Sequence, residues 1–308
     1  MTEAELDAEQ AERARLLQIG LLSSFIAFAL ISLSPVIVAA SGVHGMVMAF
    51  WRSLIGFVLL GMFVIPRRRL SWRAFVSTAP AGLAFGGAIG LFFWASQITS
   101  VVNASLITVF QPIVLMVAAS LMFDEHMTRR DIFWAGAAIS GAAVLILAGD
   151  SEGTGDIRGD LLAFVSIMIG AAYFVFGKQR MAVMALTDFM TGMFAWATLV
   201  LIVVVVASGE PILADNNADW IRIVAVGLAP GFGHVLINYA HGKAPLNLMG
   251  LMQLFVPVSA TLLAYWFLDQ SVTTFQVVGM VVVISALAVQ TLTRPEPAPA
   301  VDEVAPPE

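Results

Sequence analysis

The sequence predicts an all-α integral membrane protein with ten transmembrane helices in two inverted five-helix repeats and with both termini cytoplasmic. Three observations lead to this fold class: the composition, the length of the apolar runs, and a similarity between the two halves of the chain. Of the 308 residues, 59% are hydrophobic and 12% are charged, and the mean hydropathy is +0.91. Soluble domains carry about 25% charged residues, so this composition indicates a protein embedded in lipid.

Ten apolar runs follow one another along the chain, separated by short connections. Each is close to the roughly 20 residues that a helix rising about 1.5 Å per residue needs to cross a hydrocarbon core of about 30 Å. The runs cover residues 16–40, 44–65, 74–97, 101–123, 132–149, 159–178, 186–207, 219–240, 245–268 and 273–292.

The segments outside the runs have a different composition. Residues 1–15 are acidic where a secretory signal would be basic, so we expect a cytosolic lead-in. Residues 293–308 are rich in proline and acidic residues, which predicts a disordered tail. Between them, residues 16–149 and 159–292 hold five runs each. The chain contains no cysteine, which excludes disulfides and thiolate metal sites.

The distribution of Lys and Arg predicts the orientation. With a cytoplasmic N-terminus, twelve of the fifteen basic residues fall on the cytoplasmic side, Arg158 and Arg222 fall outside, and Arg52 lies within the second run. Cytoplasmic loops of membrane proteins carry such an excess of basic residues. An even number of spans then also places the C-terminus in the cytoplasm.

A shift of 145 residues aligns the two halves without a gap. "FQPIVLMVAASLMFDEHMT" (110–128) then falls on "FVPVSATLLAYWFLDQSVT" (255–273), and 16 of the 63 positions from 82 to 144 are identical. Because five runs are an odd number, the second repeat enters the membrane from the opposite face, as in many secondary transporters. The shift also pairs Pro112 with Pro257. Proline bends a helix and frees a carbonyl, so we expect a cavity there, although membrane helices often contain proline without one.

Two blocks of the sequence resemble a known family. The C-terminal parts of the paired EamA-type domains of the drug/metabolite transporter superfamily resemble two blocks of this chain, "VVNASLITVFQPIVLMVAASLMFDEHMTRRDIFWAGAAISGAAVLIL" and "APLNLMGLMQLFVPVSATLLAYWFLDQSVTTFQVVGMVVVISALAV". The Arg-bearing second helix of that family is similar to "MAFWRSLIG". The resemblance implies ten helices and transport of small metabolites by alternating access. The chain departs from the family pattern at Gln270, which pairs with Glu125, and Arg52 has no counterpart in the second half.

The acidic residues suggest what the transported molecule is. Every Asp and Glu falls in a terminal segment, a loop or the first turn of a run, whereas proton or sodium coupling usually uses a carboxylate inside the membrane. We therefore expect facilitated transport or exchange of a neutral or zwitterionic metabolite, most plausibly an amino acid moved outwards. Trp94, Tyr173 and the resemblance suggest an aromatic one. His234 could titrate near neutral pH or could be a packing residue, and both interpretations stay open.

Polar residues at helical spacing are the candidates for substrate binding. On four of the runs, small residues at the same spacing, such as Gly86, Gly90 and Gly231, could equally serve close helix packing. The candidate substrate-binding residues are Trp94, Ser105, Thr108, Gln111, Tyr173, His234, Asn238 and Gln253. Pro112 and Pro257 are expected at helix bends, and Arg52 is expected to be a buried charge that orients substrate or stabilises the fold.

Other classes of protein fit the sequence less well. The runs contain no paired aspartates, no serine nucleophile turn and no cluster of histidines for zinc, so we expect no enzyme activity, metal or cofactor. A channel, or a transporter of another metabolite or drug class, remains an alternative. We expect a small-molecule substrate and the lipid bilayer of the bacterial cytoplasmic membrane as partners, and no nucleic acid. The oligomeric state stays open, and a monomer is compatible with the sequence.

Overall fold

A computed structural model describes residues 3–67, 70–99, 107–123, 125, 127–147, 156–268 and 272–292, and within these ranges the chain is helical with short connections. The helices are α1 (Glu3–Ile31), α2 (Leu33–Ala39), α3 (Gly45–Val64), α4 (Trp72–Ser77), α5 (Ala79–Ile98), α6 (Gln111–Phe123), α7 (Arg129–Leu147), α8 (Ile157–Met181), α9 (Leu186–Ser208), α10 (Asn217–His241), α11 (Leu246–Met252), α12 (Phe255–Leu268) and α13 (Thr274–Leu292). The expected terminal tail, 293–308, lies outside the described residues.

Seven helical stretches of the described chain are long and apolar enough to cross a membrane, judged by length and composition. They are Ala8–Ala39, Gly45–Val64, Ala79–Ile98, Ile157–Met181, Leu186–Ser208, Asn217–His241 and Leu246–Leu263. These stretches coincide with the first three runs and the sixth to ninth runs expected from the sequence. Two shorter apolar helices, Gln111–Phe123 and Thr274–Val289, fall in the fourth and tenth runs. The count of ten spans therefore stays a prediction.

Local side-chain chemistry determines where several helices begin. Nδ1 of His44 accepts the backbone N–H of Met46 at 3.3 Å at the start of α3. Asn216 caps α10 by accepting the N–H of Asp219 at 2.9 Å. Such caps satisfy backbone donors that have no partner within the helix. At the other end of a helix, Gly209 terminates α9 with a left-handed φ of 72°, a conformation that glycine adopts without steric cost.

Helix interruptions accompany three of the prolines. The helix of the ninth run stops at Gln253 and resumes at Phe255, two residues before Pro257. Proline has no N–H, and the Gln253 carbonyl instead accepts the N–H of Val256 at 2.9 Å. Likewise α6 begins at Gln111, directly before Pro112, and the first run breaks at Ser32 ahead of Pro35. Short segments with irregular backbone thus lie within three of the apolar runs.

The most extensive helix contacts join the two halves of the chain. Helix α5 packs along α8, α7 along α13, α3 along α9, α1 along α10 and α5 along α9, while α6 makes a smaller contact with α11. Several of these contacts depend on glycine. A Cβ at Gly45 would lie 2.4 Å from the backbone of Phe93, and one at Gly86 would lie 2.9 Å from Cα of Ala197. These glycines allow α3, α5 and α9 to approach closely.

The main core surrounds the crossing of α3, α5, α8, α9 and α10, where bulky side chains are buried. The largest fully buried side chains include Arg52, Phe28, Phe85, Phe93, Tyr173, Phe189 and Phe194. A second, smaller cluster of buried residues links α7, α12 and α13. Large apolar residues such as Leu22, Phe63 and Val203 face outward and are more than half exposed. Outward apolar side chains are typical of a surface that contacts lipid.

Candidate functional site

Arg52 lies at the centre of the main core on α3 and is only 1% exposed. Its Nη2 donates to the carbonyl of Pro230 at 3.1 Å, and its guanidinium carbon lies 5.9 and 5.6 Å from the ring centroids of Phe85 and Phe93. Both distances are within the range of cation–π attraction. Nε has no hydrogen-bond partner, and no carboxylate of the described residues forms a salt bridge with this side chain. A buried cation with one carbonyl and two rings as partners retains capacity for an anion.

Tyr173, His234 and Asn238 form a second polar group beside this arginine. Nδ2 of Asn238 donates to the hydroxyl of Tyr173 at 2.7 Å and to the carbonyl of His234 at 2.8 Å. The hydroxyl lies 3.3 Å from Nδ1 of His234. Since the hydroxyl oxygen already accepts from Asn238, its own hydrogen is available for Nδ1. Both amide hydrogens of Asn238 then have acceptors, while its Oδ1, in a residue that is 0% exposed, has no partner.

Phe85 connects the arginine with this second group. Its ring centroid lies 5.1 Å from that of Tyr173 and 4.8 Å from that of His234. Arg52 and Asn238 are held by two carbonyls of α10, those of Pro230 and His234, which are four residues apart. A rise of 1.5 Å per residue separates two such carbonyls by about 6 Å along the helix axis. The two carbonyls that hold Arg52 and Asn238 therefore lie about one helical turn apart on α10.

Two glutamines connect the irregular segments of opposite halves. Nε2 of Gln253 donates to Oε1 of Gln111 at 2.7 Å, while Oε1 of Gln253 has no partner. Gly170 makes room for this pair, because a Cβ there would lie 3.2 Å from Nε2 of Gln111. Pro112 and Pro257 are buried on the adjoining helices. Movement at either helix interruption would therefore reach the other through a direct hydrogen bond.

The remaining candidates lie elsewhere or outside the described chain. Trp94, half-buried, faces His44 at 5.7 Å between ring centroids and lies nine residues along α5 from Phe85, which contacts Tyr173. Thr108 is partly buried in the turn before α6. Ser105 lies outside the described residues. The expectation that the candidate residues line one substrate site stays a prediction for all of them, and the structure does not bring Trp94 and Thr108 into the Tyr173 group.

The structure adds residues that the sequence did not single out. His241, one helical turn beyond Asn238, is 3% exposed, and neither of its ring nitrogens has a partner. Its ring lies 5.5 Å from that of Phe174 in an edge-to-face arrangement. Phe85 and Phe93 were also missed, because an aromatic residue in an apolar run looks the same whether it faces lipid or a buried cation. The helical spacing of His234, Asn238 and His241 was the signal that could have identified the histidine.

The described residues contain no group of three or more His, Cys, Asp or Glu that could hold a metal ion. Neutral polar atoms, aromatic rings and one cation are what the arrangement presents. Such a set can bind a small molecule by hydrogen bonds, one charge and stacking.

Comparison with known proteins relates the chain to transporters. The model of the EamA-like transporter family matches residues 16–147 and 157–292. The protein RarD of Streptomyces exfoliatus is 23% identical over 246 residues, which are 71% of this chain and 75% of that relative. A protein known from a crystal structure has a similar fold, with a TM-score of 0.74 and 18% identity over 91% of this chain and 97% of that one.

Proposed function

Because the chain belongs to the EamA-like transporter family, we propose that it carries amino acids out of the cell across the bacterial cytoplasmic membrane by alternating access. The family consists of membrane transporters of small molecules, and this chain's spans and outward apolar surface fit that activity. Within the family, the substrate class, direction and binding residues are our proposal. It rests mainly on one observation, the state of Arg52.

Arg52 favours a substrate with a single carboxylate. The guanidinium is buried with an unpartnered Nε and without a carboxylate partner among the described residues. A buried charge is stable only when it is paired or well hydrogen-bonded. A substrate carboxylate would supply both the charge and the acceptors, and the planar fork of arginine suits its two oxygens. Phosphorylated substrates usually need several basic groups, and the described site has one.

Asn238 gives this site a second, complementary end. Its unpartnered Oδ1 is an acceptor, as an ammonium group requires, and Asn238 is held by an α10 carbonyl about one helical turn from the carbonyl that holds Arg52. In an α-amino acid the ammonium and carboxylate share one carbon, so the two groups span a comparable distance once their hydrogen bonds are included. Tyr173 and His234 are hydrogen-bonded to Asn238 and to each other. Recognition of both charges would select a zwitterion over a simple acid or amine.

The aromatic rings around the site favour an apolar side chain on the substrate. Phe85, Phe93 and Tyr173 are each at most 2% exposed, and Phe174 follows on the same helix as Tyr173. Aromatic rings offer faces for stacking, so we propose aromatic amino acids as preferred substrates. Partly buried Trp94 lies at the far end of α5 and is not needed for this preference.

The proposed topology is ten spans in two inverted repeats, divided as residues 16–149 and 159–292, with cytoplasmic termini. The pattern of helix contacts supports it. The 145-residue shift converts the α5–α8 contact into the α1–α10 contact. It exchanges α3 with α9 and α7 with α13, so the contact within each of these two pairs maps onto itself. Two repeats related by a two-fold axis would pack in this way.

Counterflow in liposomes tests the proposed substrate. Purified protein is reconstituted with unlabelled amino acids inside, and uptake of a labelled panel is followed, with amino acid amides and phosphorylated sugars as comparison compounds. We expect saturable exchange of amino acids, fastest for aromatic ones, and little exchange of the amides. Exchange restricted to phosphorylated sugars would refute the substrate class. Ion conductance in planar bilayers without saturable metabolite flux would instead favour the channel alternative.

A further inference from the structure

Three segments from both halves of the chain meet at Glu125, which follows the C-terminal end of α6. Oε1 of Glu125 accepts from Nζ of Lys178 at 2.5 Å and from the N–H of Leu246 at 2.8 Å, and Oε2 accepts the N–H of Asn247 at 2.9 Å. Lys178 lies near the end of α8, and the two amides begin α11. One carboxylate therefore connects α6, α8 and α11 at a single point.

The environment makes this connection stronger than an ordinary surface ion pair. The side chains of Lys178 and Glu125 are 19% and 13% exposed, so water screens them little. The ammonium also lies 5.2 Å from the ring centroid of Phe123. Exposed ion pairs contribute little to stability, whereas removing one partner of a buried pair leaves an uncompensated charge. Separating these three segments would break the ion pair and both backbone hydrogen bonds of the carboxylate together.

The connection lies directly beyond the polar site. Gly177 precedes Lys178 on α8, and a Cβ at Gly177 would lie 3.0 Å from Oδ1 of Asn238 and 3.5 Å from the ring of His241. The last turns of α8 and α10 therefore run from the Asn238 end of the site to the ion pair. The ion pair is thus one residue along α8 from the glycine that lies against Asn238.

The sequence repeat does not reproduce the Glu125–Lys178 pair at the equivalent position of the other half. The 145-residue shift places Gln270 at the position of Glu125 and Leu33 at the position of Lys178. Neither residue can form an ion pair. If the two ends of the pathway open alternately, the end containing Lys178 has an ion pair between helices where the equivalent position at the other end has Gln270 and Leu33.

We propose that Glu125 and Lys178 are positioning residues that form a latch at the cytoplasmic end of the pathway. The latch closes that end by holding α6, α8 and α11 together, and its separation is the step that opens the site to the cytoplasm. The inference rests on the proposed transport function for the identity of the pathway. Its test needs no knowledge of the substrate.

A single reporter cysteine measures the opening. The native chain has no cysteine, so His241→Cys, at a position 3% exposed, introduces the only thiol. Inside-out vesicles carrying this variant are treated with a membrane-impermeant maleimide, and the labelling rate reports how often the cytoplasmic end opens. We expect slow labelling when the latch is intact. Adding Lys178→Met should raise the rate about tenfold, which corresponds to about 1.4 kcal/mol in the opening equilibrium.

Two further variants distinguish a latch from a general loss of structure. Lys178→Arg preserves the ion pair and should label as slowly as the parent, whereas Glu125→Gln loses the charge and should label faster. Glu9→Gln breaks an exposed ion pair with Arg13 on α1 and serves as the matched control, with no expected change. Size-exclusion profiles and thermal unfolding in detergent verify that each protein is folded.

Equal labelling of the parent and the folded Lys178→Met variant would overturn the latch. Acceleration by Lys178→Arg as large as that by Lys178→Met would also overturn it, since the pair would then not be what closes the end. Labelling of Lys178→Met only from the outer face would contradict the cytoplasmic assignment. These outcomes are separate from the liposome exchange experiment, so the latch and the substrate proposal can fail independently.

Discussion

Replacing Arg52 by lysine keeps the positive charge in the core but removes the planar fork. In the structure one nitrogen of the guanidinium is bound to the Pro230 carbonyl while Nε has no partner. A lysine ammonium that satisfies the carbonyl can no longer offer a carboxylate two parallel donors. A hydrogen bond to a charged group contributes about 1.5–3 kcal/mol. The loss of one such bond should therefore raise the half-saturation concentration for an amino acid roughly 10- to 100-fold.

The assay compares each amino acid with its amide in counterflow. The amide lacks the carboxylate, so the wild-type protein should strongly prefer the acid, and Arg52→Lys should reduce that preference by weakening acid exchange alone. Arg222→Lys is the matched control, because Arg222 has a 37% exposed side chain and forms an ion pair with Asp219 at 2.8 Å. We expect the control to leave both half-saturation values unchanged.

Two results would refute this reasoning. If Arg52→Ala exchanged amino acids at the wild-type rate, the arginine would have no role in transport. If Arg52→Lys weakened the exchange of the acid and of the amide equally, the arginine would support the fold or the helix positions without recognising the substrate carboxylate.

Four further expectations follow from the same geometry. Tyr173→Phe removes the hydroxyl between Asn238 and His234, and we expect several-fold weaker exchange and a slightly lower thermal unfolding temperature, since each lost hydrogen bond contributes about 0.5–1.5 kcal/mol. Gly177→Ala should also weaken exchange in counterflow, because its Cβ would lie 3.0 Å from Oδ1 of Asn238, whereas Gly136→Ala, with no neighbour within 4 Å, should not. Gly45→Ala would meet the Phe93 backbone and should destabilise the protein by about 1–3 kcal/mol in denaturant titrations in detergent. Proteoliposomes with an imposed pH or sodium gradient should show no uphill accumulation; accumulation that a protonophore abolishes and His234→Ala loses would contradict this.

Much of the helix pattern could be predicted from apolar runs, and the differences have local causes. The run expected at 219–240 becomes α10, Asn217–His241, because Asn216 caps it early. The runs expected as single helices at 16–40 and 74–97 are divided at Ser32 and Thr78, near Pro35 and Pro80. Hydropathy cannot detect such divisions, because the residues on both sides are apolar and only the missing N–H of proline marks them.

The site was predictable only in part. Arg52, Asn238 and His234 were found because a polar residue in an apolar run is unusual and costly. Their arrangement could not be predicted, because it depends on which helices cross. The spacing of residues along one helix does not indicate which helix of the other repeat it contacts. Gln111 and Gln253 illustrate the limit: that they line the substrate site stays a prediction, while their contact with each other at 2.7 Å could not be predicted from the sequence. Helical spacing identifies a face of a helix but does not identify its partner.

The crossing of α3 with α10 is equivalent, under the sequence repeat, to the crossing of α9 with α5. The two crossings differ in the room they leave for a side chain, which explains why one of them holds Arg52. The 145-residue shift pairs Arg52 with Ala197 and Gly231 with Gly86. At one crossing a Cβ on Gly86 would lie 2.9 Å from Ala197, so the helices touch. At the equivalent crossing a Cβ on Gly231 would meet nothing within 4 Å, and Arg52 reaches the neighbouring Pro230 carbonyl. An arginine at 197 would collide with α5, because that crossing has no room for a long side chain. The repeats therefore share their topology while one crossing serves close packing and the other admits the cation, and the binding chemistry that we propose belongs to the second crossing alone.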